Sequence, residues 1–146
     1  LATTFKEKGS VIFFEPSSKG GDVKRFFQCV EVADIIKFSD QRIKDYQQFE
    51  NYKDKLFIQT QGSKGLRYRL HSEWVQMAPI YNDNIVDTAG AGDWTASALI
   101  NELYKDQQVR EINDFSPNEI RMALNTAQKV GAKSCSYEGA RGMMQL

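Results

Sequence analysis

Val86-Asp87-Thr88-Ala89-Gly90-Ala91-Gly92-Asp93-Trp94-Thr95-Ala96 is the stretch on which the fold turns. It reads as a tight turn that opens a helix. Gly90 and Gly92 tolerate backbone angles that other residues resist, and they let a ligand approach the main chain. Beyond them Ala96, Leu99, Ile100 and Leu103 recur at helical spacing. The first N–H groups of such a helix lack internal acceptors and carry the positive end of its dipole. The turn is therefore a candidate anion site, most simply for phosphate. Asp93 stands at its edge. A carboxylate beside a phosphate cradle costs Coulomb repulsion, and acid–base chemistry on the group attacking the phosphate would account for it. A plain glycine turn with Asp93 as an ordinary first-turn residue accounts for the short motif equally well. The dinucleotide fingerprint fails because Thr95 occupies the position of its third glycine. The P-loop fails because Asp93-Trp94 replaces its Lys-Ser/Thr.

The flanking chain alternates strands and helices. Ser10–Phe14 is a continuous apolar run that reads as a buried parallel strand. Asp22 caps a helix with Val23, Phe26, Phe27 and Val30 on one face. Ile35–Phe38 is the next strand, and Ser39 caps a further helix carrying Ile43 and Tyr46. Leu56–Thr60 is a third strand. This rhythm predicts an α/β fold with a parallel sheet, right-handed crossovers and flanking helices. Leu66, Tyr68 and Leu70 then alternate with Arg67, Arg69 and His71, and Trp74–Ala78 follows a short polar turn. The pattern predicts an antiparallel hairpin at the sheet edge, with the two arginines and His71 on its solvated side. Lys105–Arg110 is polar and ends the central helix. Ser116-Pro117-Asn118-Glu119 is a capping box, opening a helix with Ile120, Ala123, Leu124, Ala127 and Val130 on one face.

Composition narrows the function. The 146 residues suffice for one domain with a real core, and no linker or repeat divides them, so residues 1–146 read as a single α/β domain. Nineteen basic residues balance nineteen acidic ones, which argues against a surface for nucleic acid or anionic membrane. No apolar run could span a bilayer, and the N-terminus lacks the layout of a signal peptide, so a cytoplasmic location is expected. Cys29 and Cys135 are isolated and read as reduced thiols. Position 1 is not Met, as expected of a chain that starts part-way through a longer protein.

Asp87-Thr88-Ala89-Gly90-Ala91-Gly92-Asp93 resembles the C-terminal signature Asp-Thr-x-Gly-Ala-Gly-Asp of the ribokinase-like (PfkB) carbohydrate kinases. The resemblance implies a three-layer Rossmann-like fold, Asp93 as catalytic base, and an anion hole formed by Ala89, Gly90, Ala91 and Gly92. Further matches imply further roles. Thr60-Gln61-Gly62-Ser63-Lys64-Gly65 resembles the family turn lining the nucleotide, which makes Thr60, Gly62 and Gly65 nucleotide ligands; spacing alone fits a plain strand-to-hairpin turn. Asp34–Asp40 is similar to a strand ending in Lys-x-Ser-Asp-x-Glu, which helps hold Mg²⁺ through water. Asp40 fits, but Arg42 stands where the Glu belongs. Ala123 to Ala140 resembles the family's adenine-side helix followed by Gly-Ala, which makes Gln128 and Gly139 nucleotide-binding residues, and Asp87 with the loop near Gly139 borders the monovalent-cation (K⁺) site of many members.

The resemblance covers nearly all of the chain but only the C-terminal half of the family's sequence. It implies ATP-dependent transfer of a phosphoryl group to a sugar hydroxyl, with the kinase's N-terminal half as partner and a homo-oligomer compatible with the family. A nucleoside or other small-alcohol kinase, and a non-catalytic nucleotide-binding fragment, are the alternatives.

Overall fold

The structure, a computed structural model, describes residues 1–18, 20–44, 47–106 and 110–145. It divides into two compact units. One comprises Leu1–Ala78 with Val109–Phe115, the other Pro79–Gln108 with Ser116–Leu146.

The first unit carries a five-stranded sheet in the order β1-β2-β3-β4-β5. β1 (Phe13–Phe14), β2 (Ile35–Ser39) and β3 (Leu56–Thr60) run parallel; β4 (Leu66–Leu70) and β5 (Glu73–Met77) extend the sheet antiparallel. The edge hairpin is as expected, with Leu70 opposite Glu73 across the His71-Ser72 turn. His71 is exposed and takes a positive φ of 73°.

A short helix, α1, covers Ala2–Glu7, and α2 (Val23–Val32) links β1 to β2. Asp22 caps α2, accepting from the Arg25 N–H at 2.9 Å. The other end of α2 is closed by lysines. Buried Lys55 donates to the carbonyls of Glu31 and Ala33, both at 2.8 Å. Lys6 donates to that of Val32 at 2.9 Å. Cations here satisfy orphan carbonyls and oppose the negative end of the helix dipole. Phe26 and Val30 of α2 pack with Ile36, Phe38, Ile43, Phe49 and Phe57 into one core.

Four expectations about the first unit need correction. The apolar run enters the sheet only at Phe13, because the Ile12 N–H donates to the Asp34 carboxylate rather than to a strand. Val23 lies outside the buried face of α2, 51% exposed. No helix follows Ser39 among the described residues. Arg42 and Ile43 N–H groups both turn back onto the Ser39 carbonyl, and a 3-10 turn at Gln47–Phe49 follows; Tyr46 lies outside the described residues. Finally, Arg69 is not on a solvated face. It is 2% exposed, lies 4.8 Å above the Phe57 ring, and donates to the carbonyls of Phe49 and Tyr52.

The second unit is built on α3 (Ala91–Tyr104) and α4 (Pro117–Ser134). Ala96, Leu99 and Leu103 are buried on α3, while Ile100, expected with them, is 40% exposed. The Ser116 hydroxyl and Glu119 carboxylate form the expected capping box at α4. A Cβ at Gly131 would fall 2.1 Å from Thr95 Oγ1, so a glycine there lets α4 close on α3. Residues 107–109 of the polar stretch after α3 lie outside the described residues. Among the described residues no helix is long and apolar enough to cross a membrane.

Candidate active site

The second unit holds the glycine turn. The segment leading into it is pinned by the Cys135 carbonyl, which accepts the N–H groups of Val86 (2.8 Å) and Asp87 (3.1 Å). The Asp87 carboxylate then clasps two loops. Oδ1 accepts from Ala89 N–H at 3.0 Å and Oδ2 from Gly139 N–H at 2.9 Å. Those bonds favour the charged form, Ala89's foremost, and hold its carboxyl below the ordinary value of 3.8.

Gly90 is the residue before α3 and has a left-handed φ of 76°. It also has no room for a side chain: an added Cβ would sit 2.7 Å from the Ala140 Cβ. The sequence requirement for glycine is thus both conformational and steric. Ala91 N–H donates to the Thr88 carbonyl at 3.2 Å, and Trp94 N–H makes the first helical bond, to Gly90 at 2.9 Å. Two of the four residues expected in the anion hole, Ala89 and Ala91, have their N–H groups engaged, and helix geometry leaves those of Gly92 and Asp93 without an intrahelical acceptor. Both residues are exposed, and Asp93 is the acidic residue of the first turn of α3. A donor pair and a carboxylate therefore face solvent at one helix N-terminus.

Gln128 lies on α4 with a buried Nε2 that has no hydrogen-bond partner among the described residues. Gly139, at φ 75°, belongs with Asp87 in the clasp. Trp94 is the feature that motif reading passed over: its Nε1–H donates to the Ala140 carbonyl at 2.9 Å.

The first unit holds the other candidates. Thr60 ends β3; its hydroxyl donates to the Phe38 carbonyl at 3.4 Å, and its own carbonyl accepts from Asp40 N–H at 3.0 Å. Gly62 and Gly65 take φ of 57° and 92° in the turn that follows, closed by Gln61 N–H on the Gly65 carbonyl at 2.9 Å. Asp40 and Thr60 are thus neighbours at the carboxyl ends of parallel strands, where open α/β sheets bind ligands. Arg42 is exposed. Among the described residues no three His, Cys, Asp or Glu side chains gather to hold a metal.

Known proteins are similar to this chain in sequence and in fold. The chain is 28% identical over 153 residues to a putative fructokinase-8 of Arabidopsis thaliana, covering 92% of this chain and 70% of that protein. It spans 45–46% of three further Arabidopsis fructokinases. It superposes with a TM-score of 0.78 on a crystal structure of fructokinase from Vibrio cholerae with fructose, ADP and calcium ion bound, at 22% identity over 95% of this chain and 49% of that one. An adenosine kinase from Schistosoma mansoni in complex with 2-fluoroadenosine gives 0.75 at 20% identity, over 95% and 46%. The mixed sheet with its helices is the ribokinase-like fold of these structures. The profile of the pfkB family carbohydrate kinases matches residues 29–145, and the chain belongs to that family.

Proposed function

We propose that this chain is the nucleotide-binding, base-bearing part of a kinase that transfers the γ-phosphoryl group of ATP to a sugar hydroxyl. The observation that carries the reading is Asp93, exposed in the first turn of α3 beside the left-handed Gly90.

In this reading the Asp93 carboxylate accepts the proton of the attacking hydroxyl. The sugar oxygen forms its bond to the γ-phosphorus as the bond to the bridging oxygen of ADP breaks. The N–H groups of Gly92 and Asp93, with the α3 dipole, stabilise charge on the transferred group. A loose transition state asks little basicity of the base, so an ordinary carboxylate suffices. The Thr60–Gly65 turn is assigned to the nucleotide, and Gln128, with its unpartnered amide, to the adenine side. When bound, Mg²⁺ neutralises charge on the phosphates. Asp40 is the residue proposed to hold it through water. A K⁺ ion at Asp87 would share a carboxylate already engaged by Ala89 and Gly139.

The acceptor sugar is assigned to the portion of the relatives that this chain does not span. The test is Asp93→Asn in a complex of this chain with that portion. Loss of the base lowers kcat by about 10²–10⁴-fold, while ADP affinity measured by calorimetry stays within a few-fold. A variant with near wild-type kcat would remove Asp93 from the mechanism.

A further inference from the structure

Asp87 and Trp94 flank the glycine turn in sequence, and both reach the same two-residue target. Asp87 Oδ2 holds Gly139 N–H at 2.9 Å from the side of the chain entering the turn. Trp94 Nε1–H holds the Ala140 carbonyl at 2.9 Å from the first turn of α3. Between them lies the contact that leaves Gly90 no room for a Cβ: the built atom would be 2.7 Å from Ala140 Cβ and 2.8 Å from Ala140 Cα. The loop is therefore pressed against Gly90 and fastened on both sides of it. Gly90 sets the direction in which α3 starts, and α3 carries the free N–H groups of Gly92 and Asp93.

We infer that Trp94 is a positioning residue for the phosphate-binding turn: its indole N–H keeps the Gly139-Ala140 loop seated on Gly90 and so fixes where the α3 N-terminus points. This rests on the phosphoryl transfer proposed above. The role belongs to the indole N–H rather than to the ring's bulk, because the bond is directional and its acceptor is a main-chain carbonyl. A phosphate cradle works only while its donors are held in place before the charge develops. Trp94 supplies that restraint without touching substrate.

The experiment compares wild type, Trp94→Phe, and a chain carrying benzothienylalanine at position 94, which keeps the bicyclic ring and removes only the N–H. Circular dichroism establishes that each is folded, and the isosteric analogue decides the matter should Trp94→Phe not fold. Amide hydrogen exchange is read at hydrogen-bonded N–H groups of the two segments: Gly139 on the loop, and Ala91 and residue 94 on the turn. Steady-state kinetics with Mg-ATP and fructose are read on the chain combined with the portion of its relatives that it does not span. The expected result is exchange about 2–10-fold faster at both segments, the worth of one neutral hydrogen bond. With it kcat falls by a similar factor while KM for ATP stays unchanged. Unchanged exchange at both segments overturns the inference. Faster exchange confined to Gly139, with Ala91, residue 94 and kcat unaltered, overturns it too, since the bond would then be only structural. A wild-type complex that transfers no phosphate to any sugar, nucleoside or other small alcohol overturns the proposed function instead, and exchange at Ala91 and residue 94 then decides the role of Trp94 by itself.

Discussion

Gly90 and Gly62 both take positive φ, yet their surroundings differ, and substitution separates the two costs. At Gly62 a Cβ would meet nothing within 4 Å, so Gly62→Ala bears only the backbone cost of a left-handed residue, about 1–2 kcal/mol. At Gly90 the same cost is joined by a collision with Ala140 at 2.7 Å. Urea denaturation should therefore rank Gly90→Ala as the more destabilised; equal midpoints would mean that the loop yields freely. Asp87 offers a pH test. Its folded carboxyl titrates below 3.8, so the unfolded chain takes up this proton first as pH falls. The stability it contributes is whole above about pH 3.8 and drains as pH drops through the folded value. Asp87→Asn should accordingly lower the melting temperature at pH 7 and flatten its acid dependence. An unaltered slope below pH 4 would show that the clasp does not select the charged form.

Arg69 shows how an element can depend on a residue that pattern reading sends to solvent. The guanidinium is buried against β3 and closes the carbonyls of Phe49 and Tyr52 around the 3-10 turn at Gln47–Phe49. Arg69→Met keeps the volume but leaves those carbonyls unpaired, at about 1–3 kcal/mol for each one that stays buried. Chemical denaturation should show that loss, and Arg42→Met, at an exposed site, should show none. Such contrasts mark what was legible. β2, β3, the edge hairpin, α3 and the capped start of α4 rest on local signals — period, turn residues, caps — and stand in the structure where the sequence put them. The expectation of a solvated Arg69 failed for a physical reason. Alternating or periodic polarity says which residues can face water, not which distant carbonyls will come to meet them. The turn at Asp87–Asp93 was readable because its residue types are dictated by its own backbone. Trp94 was not, because its acceptor lies 46 residues away.

At the scale of the molecule, the chain spans about half of most relatives it matches, and the proposed activity should follow that division. Incubated with Mg-ATP and a panel of hexoses, pentoses and nucleosides, it is expected to phosphorylate none alone and to gain transfer when the remaining portion is added. Positioning of an acceptor can supply about 7–11 kcal/mol of the barrier, and a base without a positioned acceptor forfeits it. Phosphorylation at native-like rates by the chain alone would place the acceptor site within it. The first unit also has a peculiarity of connectivity. Val109–Phe115 returns to it after the chain has run through α3, with Asn113 Nδ2 donating to the Asp54 carbonyl at 3.1 Å and with Ile112 and Phe115 buried. On a ribosome the sheet's five strands are all made by Met77, but the unit is not whole until Phe115 has left the exit tunnel. By then α3 has been synthesised too, so neither unit can finish folding before part of the other has been made, and a nascent chain stalled between Ala78 and Val109 would hold an unfinished first unit open to chaperones and proteases.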